Sequence, residues 1–140
     1  MTIKIDNKGL DGLWDKVNNL SPKIDQAVMS AMSDEGLSWR DDVRDNTPVD
    51  TGDLRRSWTL TGPDKKGIKF EMDLANNLEY AEHVEYGHRQ EPGRFVPVLG
   101  KRLVADYVPG SYMLRDGTRR LEETLKPAVK EEVRKAIESL

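Results

Sequence analysis

The fold of this chain depends on residues 46–57, Asn-Thr-Pro-Val-Asp-Thr-Gly-Asp-Leu-Arg-Arg-Ser, which separate a part with helical spacing from a part that alternates like strands. Pro48 disfavours the helical conformation in the residue before it and has no amide hydrogen to donate to a continuing helix. Gly52 is expected where a tight turn is needed. Asp50, with Asp53 three positions later, is expected to cap a new short turn. The stretch therefore predicts a junction between a helix and a sheet.

The same stretch offers a second interpretation, because Asp50-Thr51-Gly52 resembles the Asp-Thr-Gly of retroviral-type aspartic proteases. In those enzymes two aspartates, one per subunit, share a proton and activate water. Val98-Leu99-Gly100 would match the apolar-apolar-glycine that follows later. Against this, the aspartate follows a helix and a proline rather than a strand, Asp53 replaces the usual small residue, and no glycine-rich flap lies between the two matches. A dimeric aspartic protease is therefore kept only as an alternative.

The composition limits the classes of function. A chain of 140 residues is expected to form one domain, 1–140. Hydrophobic residues make up 36% and charged residues 34%, which favours a small core and further burial on assembly. The absence of cysteine excludes disulfides and thiolate metal sites, and a net charge of -3 gives no argument for specific nucleic-acid binding. No stretch is long and apolar enough for a membrane span, so a soluble protein made in the cytoplasm is expected.

Before the junction, residues 2–6 alternate and predict an edge strand, and apolar spacing over residues 10–20 predicts a helix. Ser21-Pro22 is typical of a fresh helix start, with serine as cap and proline in the first turn. The following helix carries one apolar stripe: Ile24, Ala27, Val28, Ala31, Met32, Trp39 and Val43. Its other side is acidic between Asp34 and Asp45, and is either a solvated face or a docking surface for something basic.

After the junction, Trp58 and Leu60 alternate with polar residues, and residues 61–67 have the composition of a loop. A second alternating run follows and predicts a half-buried strand, with Ile68, Phe70, Met72 and Leu74 on its buried face. The two runs are expected to pair as an antiparallel hairpin.

Residues 77–88 allow either a short helix capped by Asn77 and ended by Gly87, or a strand, and we prefer the helix. His83 and His88 are spaced by five, which does not place both on one helix face. No third ligand can be identified, so we predict no metal site.

Residues 89–110 predict a projecting hairpin or flexible arm, because prolines and glycines interrupt a basic and apolar segment. The residues that we expect to act in assembly are Arg89, Arg94, Phe95, Val98, Lys101, Arg102 and Tyr107. From Met113 a long terminal helix is predicted, with Leu114, Leu121, Leu125, Val129, Val133, Ile137 and Leu140 on one stripe. Pro127 is expected to kink this helix or divide it in two.

Three motifs stand in a fixed order along the chain. The first consists of Thr47, Pro48, Val49, Asp50, Thr51, Gly52, Leu54, Arg55 and Ser57; the second of Tyr80, Ala81, Val84, Glu85, Gly87 and His88; the third of Pro109, Gly110, Met113 and Leu114. This ordered set resembles the tail-completion, or head–tail joining, family of long-tailed bacteriophages and prophages. The likeness covers nearly the whole chain, although residues 89–108 are longer than in the leanest members.

The resemblance implies an α+β domain, with a long N-terminal helix and a C-terminal helix packed on a small twisted, mainly antiparallel sheet. It also implies a structural protein without catalytic residues, cofactor or metal. Such a protein forms a ring, expected to be a hexamer, at the end of the tail tube, where it meets the tail tube protein and the head-closure or connector protein. DNA would pass through the ring, and the protein would reside in the virion tail or neck after assembly in the host cytoplasm. A different phage or prophage assembly module remains a further alternative.

Overall fold

The computed structural model describes residues 1–6, 8–10, 22–97, 100–102 and 106–139. Its elements, in chain order, are β1 (Thr2–Asp6), a 3-10 turn (Lys8–Leu10), α1 (Pro22–Asp45), α2 (Asp53–Arg56), β2 (Thr59–Lys66), β3 (Lys69–Ala75), α3 (Ala81–Tyr86), β4 (Gly87–Arg89), β5 (Phe95–Val96), β6 (Lys101–Arg102), β7 (Tyr107–Pro109) and α4 (Met113–Glu138). The α+β class predicted from the sequence is confirmed. The helix predicted over residues 10–20 and its boundary at Ser21 lie outside the described residues.

Helix α1 begins at Pro22, as predicted, because proline fits the first helical position, where no amide donor is required. Ile24, Val28, Met32, Trp39 and Val43 of its apolar stripe are all buried. The long helix therefore owes its position to one continuous apolar face.

The main sheet has three antiparallel strands in the order β1-β3-β2. Strand β3 lies in the centre because Phe70, Met72 and Leu74 alternate with charged residues, and all three are buried on one face. Leu74 pairs with Ile3 on one side and with Leu60 on the other. The predicted edge strand and the predicted hairpin are both confirmed.

Two details of the hairpin prediction were wrong. Residues 61–66 belong to β2 and not to a loop, because Gly62 and Pro63 are accommodated in a bulge, where the register shifts between Thr61 and Asp64. A bulge tolerates a residue without an amide donor and a glycine with positive φ, here +93°. Ile68 was placed on the buried face, but it precedes β3 in the tight turn and its side chain is 58% exposed.

Helix α4 packs along α1 more extensively than along any other element. The helices approach closely at Gly117, where an added Cβ would lie only 2.6 Å from Cγ2 of Val43. Beside this point, the indole Nε1 of Trp39 donates to Oγ1 of Thr118 at 3.2 Å, which satisfies both buried polar atoms. The C-terminal helix thus reaches the sheet mainly through α1.

Helix α4 is continuous from Met113 to Glu138, so Pro127 does not divide it in two, which was one of the two outcomes predicted for this proline. Proline removes one backbone hydrogen bond, but Leu125 and Val129 on either side of it are buried. Burial of these two side chains holds the helix against the core on both sides of the proline. Ile137, predicted on the buried stripe, is 48% exposed, and Leu140 lies outside the described residues. Among the described helices, none combines the length and the apolar character that a membrane crossing requires.

Candidate functional site: the groove between two sequence motifs

The first motif begins with a buried threonine that joins α1 to β2. Thr47 is 1% exposed; its hydroxyl donates to the carbonyl of Val43 at 2.6 Å and accepts from Nε1 of Trp58 at 2.9 Å. Arg55 donates to the carbonyl of Thr47 at 3.0 Å. The hydroxyl of Thr47 therefore satisfies both a carbonyl in the last turn of α1 and the indole nitrogen of Trp58, the residue just before β2.

The turn that follows differs from the predicted capping box. Asp50 is exposed, and within the described residues its carboxylate makes no hydrogen bond or ion pair. The N-cap position of α2 is occupied by Gly52, whose φ is +86°, and Oγ1 of Thr51 accepts from the amide of Asp53 at 3.3 Å. The left-handed glycine turns the chain before a carboxylate at position 50 can reach the first amides of α2. The prediction of Asp50 as a cap was therefore wrong, whereas the turn at Gly52 is confirmed.

A buried asparagine that the motifs do not include holds this turn against the sheet. Asn76 follows β3 and is 1% exposed; its Nδ2 donates to the carbonyl of Leu54 at 2.8 Å, and its Oδ1 accepts from the amide of Leu78 at 3.2 Å. A capping role was predicted for its neighbour Asn77 instead. The position of Asn76 directly after an alternating strand was the available signal, since an asparagine there often satisfies neighbouring backbone groups.

The second motif forms helix α3, which confirms the preferred helix over the strand. The helix begins at Ala81 with Tyr80 at the N-cap, so the predicted cap by Asn77 was wrong. Its most informative residue is Glu85, which is 1% exposed. The two carboxylate oxygens accept from the amides of Leu114 and Arg115 at 2.8 and 2.9 Å. Glu85 thus caps the distant helix α4 and satisfies two of its free amides.

The chain turns sharply after Glu85 and again before α4. Gly87 has φ of +86°, and a Cβ there would lie 2.5 Å from the carbonyl oxygen of Val108. Gly110 is packed as tightly against the backbone of Glu85, Tyr86 and Gly87. The amides of Ser111 and Tyr112 donate to the carbonyls of Val84 and Glu85 at 2.8 and 3.1 Å. The second and third sequence motifs are therefore one interlocked structural unit.

The first and second motifs form the walls of one groove, which we call the motif groove. Its volume is about 650 Å³, and its lining residues are Pro48, Val49, Asp50, Thr51, Gly52, Asp53, Leu54, Tyr80, His83, Val84 and His88. Leu54 is buried in its wall, whereas Val49 and Tyr80 are 56% and 45% exposed. Residues separated by about thirty positions in sequence thus present one largely apolar surface to solvent.

Two histidines of the motif groove come close together, with ring centroids 5.2 Å apart. In the described parts of the chain, no group of three or more histidines and carboxylates is arranged to hold a metal ion. Nδ1 of His88 is buried and has no hydrogen-bond partner among the described residues. Because this atom has almost no accessible surface, it is an unsatisfied group inside the groove wall and not a contact point on the groove surface.

Beyond the groove, the predicted hairpin is present as two short ribbons. Strand β4 pairs with β7 through Arg89 and Tyr107, and β5 pairs with β6 through Phe95 and Arg102. We call residues 89–107 the hairpin arm. The side chains of Arg89, Arg94, Lys101 and Arg102 are exposed, as are Phe95 at 50% and Tyr107 at 49%. Val98, also predicted to act in assembly, lies outside the described residues.

The acidic face of α1 is partly used within the chain. Arg120 binds Asp42 through two hydrogen bonds, of 2.7 and 3.0 Å, and Oγ1 of Thr124 donates to Glu35 at 2.7 Å. The hydrogen bond to Asp42 is the main reason why the pKa of Arg120 is raised above its ordinary value. These side chains reinforce the packing of α4 on α1 and are already engaged before any partner binds.

Asp50-Thr51-Gly52 does not have the setting that the protease resemblance requires. The aspartate follows helix α1 and Pro48 in an exposed turn, rather than a strand that would bring two such residues together across a dimer. Val98-Leu99, the second part of that resemblance, lies outside the described residues. The described geometry makes this stretch a helix-to-sheet junction.

The comparison with known proteins points to the function of this arrangement. Residues 11–87, more than half of the chain, match the sequence profile of the family described as "Bacteriophage HK97-gp10, putative tail-component". No curated protein and no solved structure gave a significant match. The matched range includes the junction and the second motif as far as Gly87, and hence every lining residue of the motif groove except His88. The chain therefore belongs to the HK97-gp10-like family of bacteriophage tail components.

Proposed function

We propose that this protein completes the end of the phage tail and joins it to the head–tail connector as a homo-oligomeric ring. Membership of the tail-component family supplies the general role. The observation that carries the finer assignment is the motif groove, in which both motifs of the tail-completion resemblance expose apolar side chains on one surface. An exposed apolar surface with an ordered backbone beneath it is suited to contact with another protein.

The motif residues support a structural role rather than catalysis. A buried carboxylate such as Glu85 is the type of group that often serves as a general acid or base. Here both of its oxygens accept backbone amides of α4, so its bonding capacity is used in holding the fold. Thr47 and Asn76 are likewise occupied by hydrogen bonds between elements. Thr47 and Glu85 of the two motifs, together with Asn76 between them, therefore position the walls of the groove.

The proposed partners are further copies of this chain, the tail tube protein and the head-closure or connector protein. In a hexameric ring every copy presents one surface to each neighbour, and the two ends of the ring remain free for tail and head. DNA would pass through the opening without sequence-specific contacts. The protein would act in the tail or neck of the virion and assemble in the host cytoplasm.

The test is a phage whose gene for this protein carries a stop codon, grown with and without the intact gene in trans. Electron microscopy of the lysate without complementation should show DNA-filled heads beside unattached tails. Complementation should restore joined particles, which controls for effects on neighbouring genes. Complete particles without the protein would contradict the proposal, and so would a loss of filled heads.

A further inference from the structure

The motif groove and the hairpin arm carry complementary chemistry. We propose that the tip of the hairpin arm of one copy, residues 94–96 with 101–102, docks into the motif groove of a second copy. Phe95 enters the groove between the exposed Val49 and Tyr80, and the basic side chains of the tip face Asp50. This contact rests on the ring proposed above and identifies how neighbouring copies would hold each other.

The first argument is the apolar fit. Phe95 is 50% exposed on a two-stranded ribbon, and such a ribbon is marginally stable in water unless something packs against it. The groove, of about 650 Å³, falls within the range of cavities that take a compact ligand, roughly 300–1,000 Å³. Aromatic side chains seated in pockets contribute a large share of the binding energy in protein interfaces. The arm therefore carries an anchor, and the groove provides a cavity of suitable size and lining.

The second argument is the charge. The hairpin arm has four basic side chains, Arg89, Arg94, Lys101 and Arg102, against only Glu91 and Asp106. On the groove side, Asp50 is exposed and unpaired within the described residues. The exposed Glu79 and Glu82 lie within two residues of Tyr80 in sequence. Opposite charges at the rim steer two surfaces together and fix their register.

Other surfaces are less suited to receive the arm. The outer edge of β2 carries Pro63, a bulge and two lysines, which discourage pairing with a further strand. The acidic face of α1 is partly occupied, because Asp42 binds Arg120 and Glu35 binds Thr124. Among the described residues, the motif groove places the exposed apolar side chains of Val49 and Tyr80 and the unpaired carboxylate of Asp50 on one surface.

The absence of cysteine from the chain allows a direct test by disulfide trapping. Full-length V49C and F95C, carrying different tags, are mixed at a concentration that supports self-association and then oxidised. We expect a disulfide between differently tagged copies. As the control, K130C takes the place of either V49C or F95C. Lys130 is exposed on α4, away from the groove and the arm, so these mixtures should give little disulfide-linked product. Equal trapping of V49C by F95C and by K130C, or no trapping by F95C, would overturn the contact.

Binding measurements separate the anchor from the charges. F95A should weaken self-association by about tenfold or more, whereas I137A, an equally exposed apolar residue on α4, should leave it unchanged. D50K should weaken it about threefold at low salt, and mixing D50K with R94E/K101E should restore part of the loss. The proposal would be contradicted if F95A left the affinity of self-association unchanged. It would also be contradicted if mixing D50K with R94E/K101E restored none of the affinity lost by D50K.

The outcomes distinguish this contact from the general function. If the phage without this protein fails to join heads to tails while V49C and F95C do not link, the docking contact is wrong and the joining role stands. If the phage forms complete particles without the protein, the joining role is wrong, whatever the trapping result.

Discussion

Asp50 and Gly52, two neighbouring residues of the junction, should respond differently to alanine. Gly52 has φ of +86°, so Gly52→Ala forces a side chain into the left-handed region and should cost about 1–2 kcal/mol of unfolding free energy. Asp50 is exposed and unpaired among the described residues, so Asp50→Ala should change stability by less than about 0.5 kcal/mol. Urea denaturation monitored by tryptophan fluorescence measures both. A large loss for Asp50→Ala would show that a cap forms after all.

Glu85 permits a sharper test, because its carboxylate accepts two amides at once. Glu85→Ala leaves the amides of Leu114 and Arg115 without partners and should destabilise the protein by about 1–3 kcal/mol or more. Glu85→Gln retains one acceptor oxygen and should lose less. Glu82→Ala, on the exposed side of the same short helix, is the matched control and should be nearly neutral. Equal losses for Glu85→Ala and Glu85→Gln would mean that the charge, and not the acceptor pair, stabilises α4.

Among the elements, α1 and α4 depend on a close approach at Gly117. In an exposed helix, glycine to alanine usually adds about 1 kcal/mol of stability. Here the new Cβ would lie 2.6 Å from Val43, so Gly117→Ala should instead destabilise by about 1–3 kcal/mol. Val43→Ala alone should also destabilise, since it opens a cavity in the core. The double variant should lose less than the sum of the two, because each change relieves the other. Additive losses in thermal or urea unfolding would contradict this contact.

The elements were predictable from the sequence where the pattern was local. The apolar stripe of α1 and the alternation of β3 can be recognised from periodicity alone. The start of α1 can be recognised from the proline, whose effect on the chain extends over only a few residues. The errors occurred where tertiary packing decides. Pro127 lies inside a helix that the burial of Leu125 and Val129 holds against the core. Gly62-Pro63 has the composition of a loop, and only the pairing of Thr61 and Asp64 with β3 shows that it is a bulge within a strand.

The candidate site was predictable only as two separate motifs. Nothing in the local sequence shows that Glu85 caps a helix that starts about thirty residues later, or that Asn76 binds the carbonyl of Leu54. Such partners are set by the topology of the whole chain. The motif groove appears only once α3 and the junction are placed beside each other.

At the scale of the whole molecule, the described part of the hairpin arm is joined to the domain through the short ribbon of β4 and β7. Arg89 pairs with Tyr107, and the amide of Gln90 donates to the carbonyl of Asp106 at 2.9 Å. The domain side is held separately, by Glu85 on α4 and by the tight packing of Gly110 against residues 85–87. Few interactions that stabilise the domain should therefore depend on the outer part of the arm.

This separation makes a deletion informative. Replacing residues 90–106 by Asn-Gly joins Arg89 to Tyr107 through a two-residue turn that suits antiparallel strands. We expect the variant to unfold at nearly the temperature of the parent, because the buried core residues remain. It should nevertheless fail to join heads to tails in the complementation assay, since the docking tip is gone. A deletion variant that completes particles would show that the arm is dispensable, and one that does not fold would place the arm within the core.

Limited trypsin digestion of the intact protein tests the same separation without a mutation. Arg89, Arg94, Lys101 and Arg102 lie in exposed short strands or turns, whereas the basic residues of α1 and α4 lie in long hydrogen-bonded helices. Cleavage requires a locally open backbone, and a two-residue ribbon opens at far lower cost than a helix packed on its neighbour. The free protein should therefore be cut first within residues 89–102, and copies assembled on tails should be cut there more slowly, because docking covers the tip. Equal cleavage rates in the free and assembled protein would exclude burial of the arm in assembly.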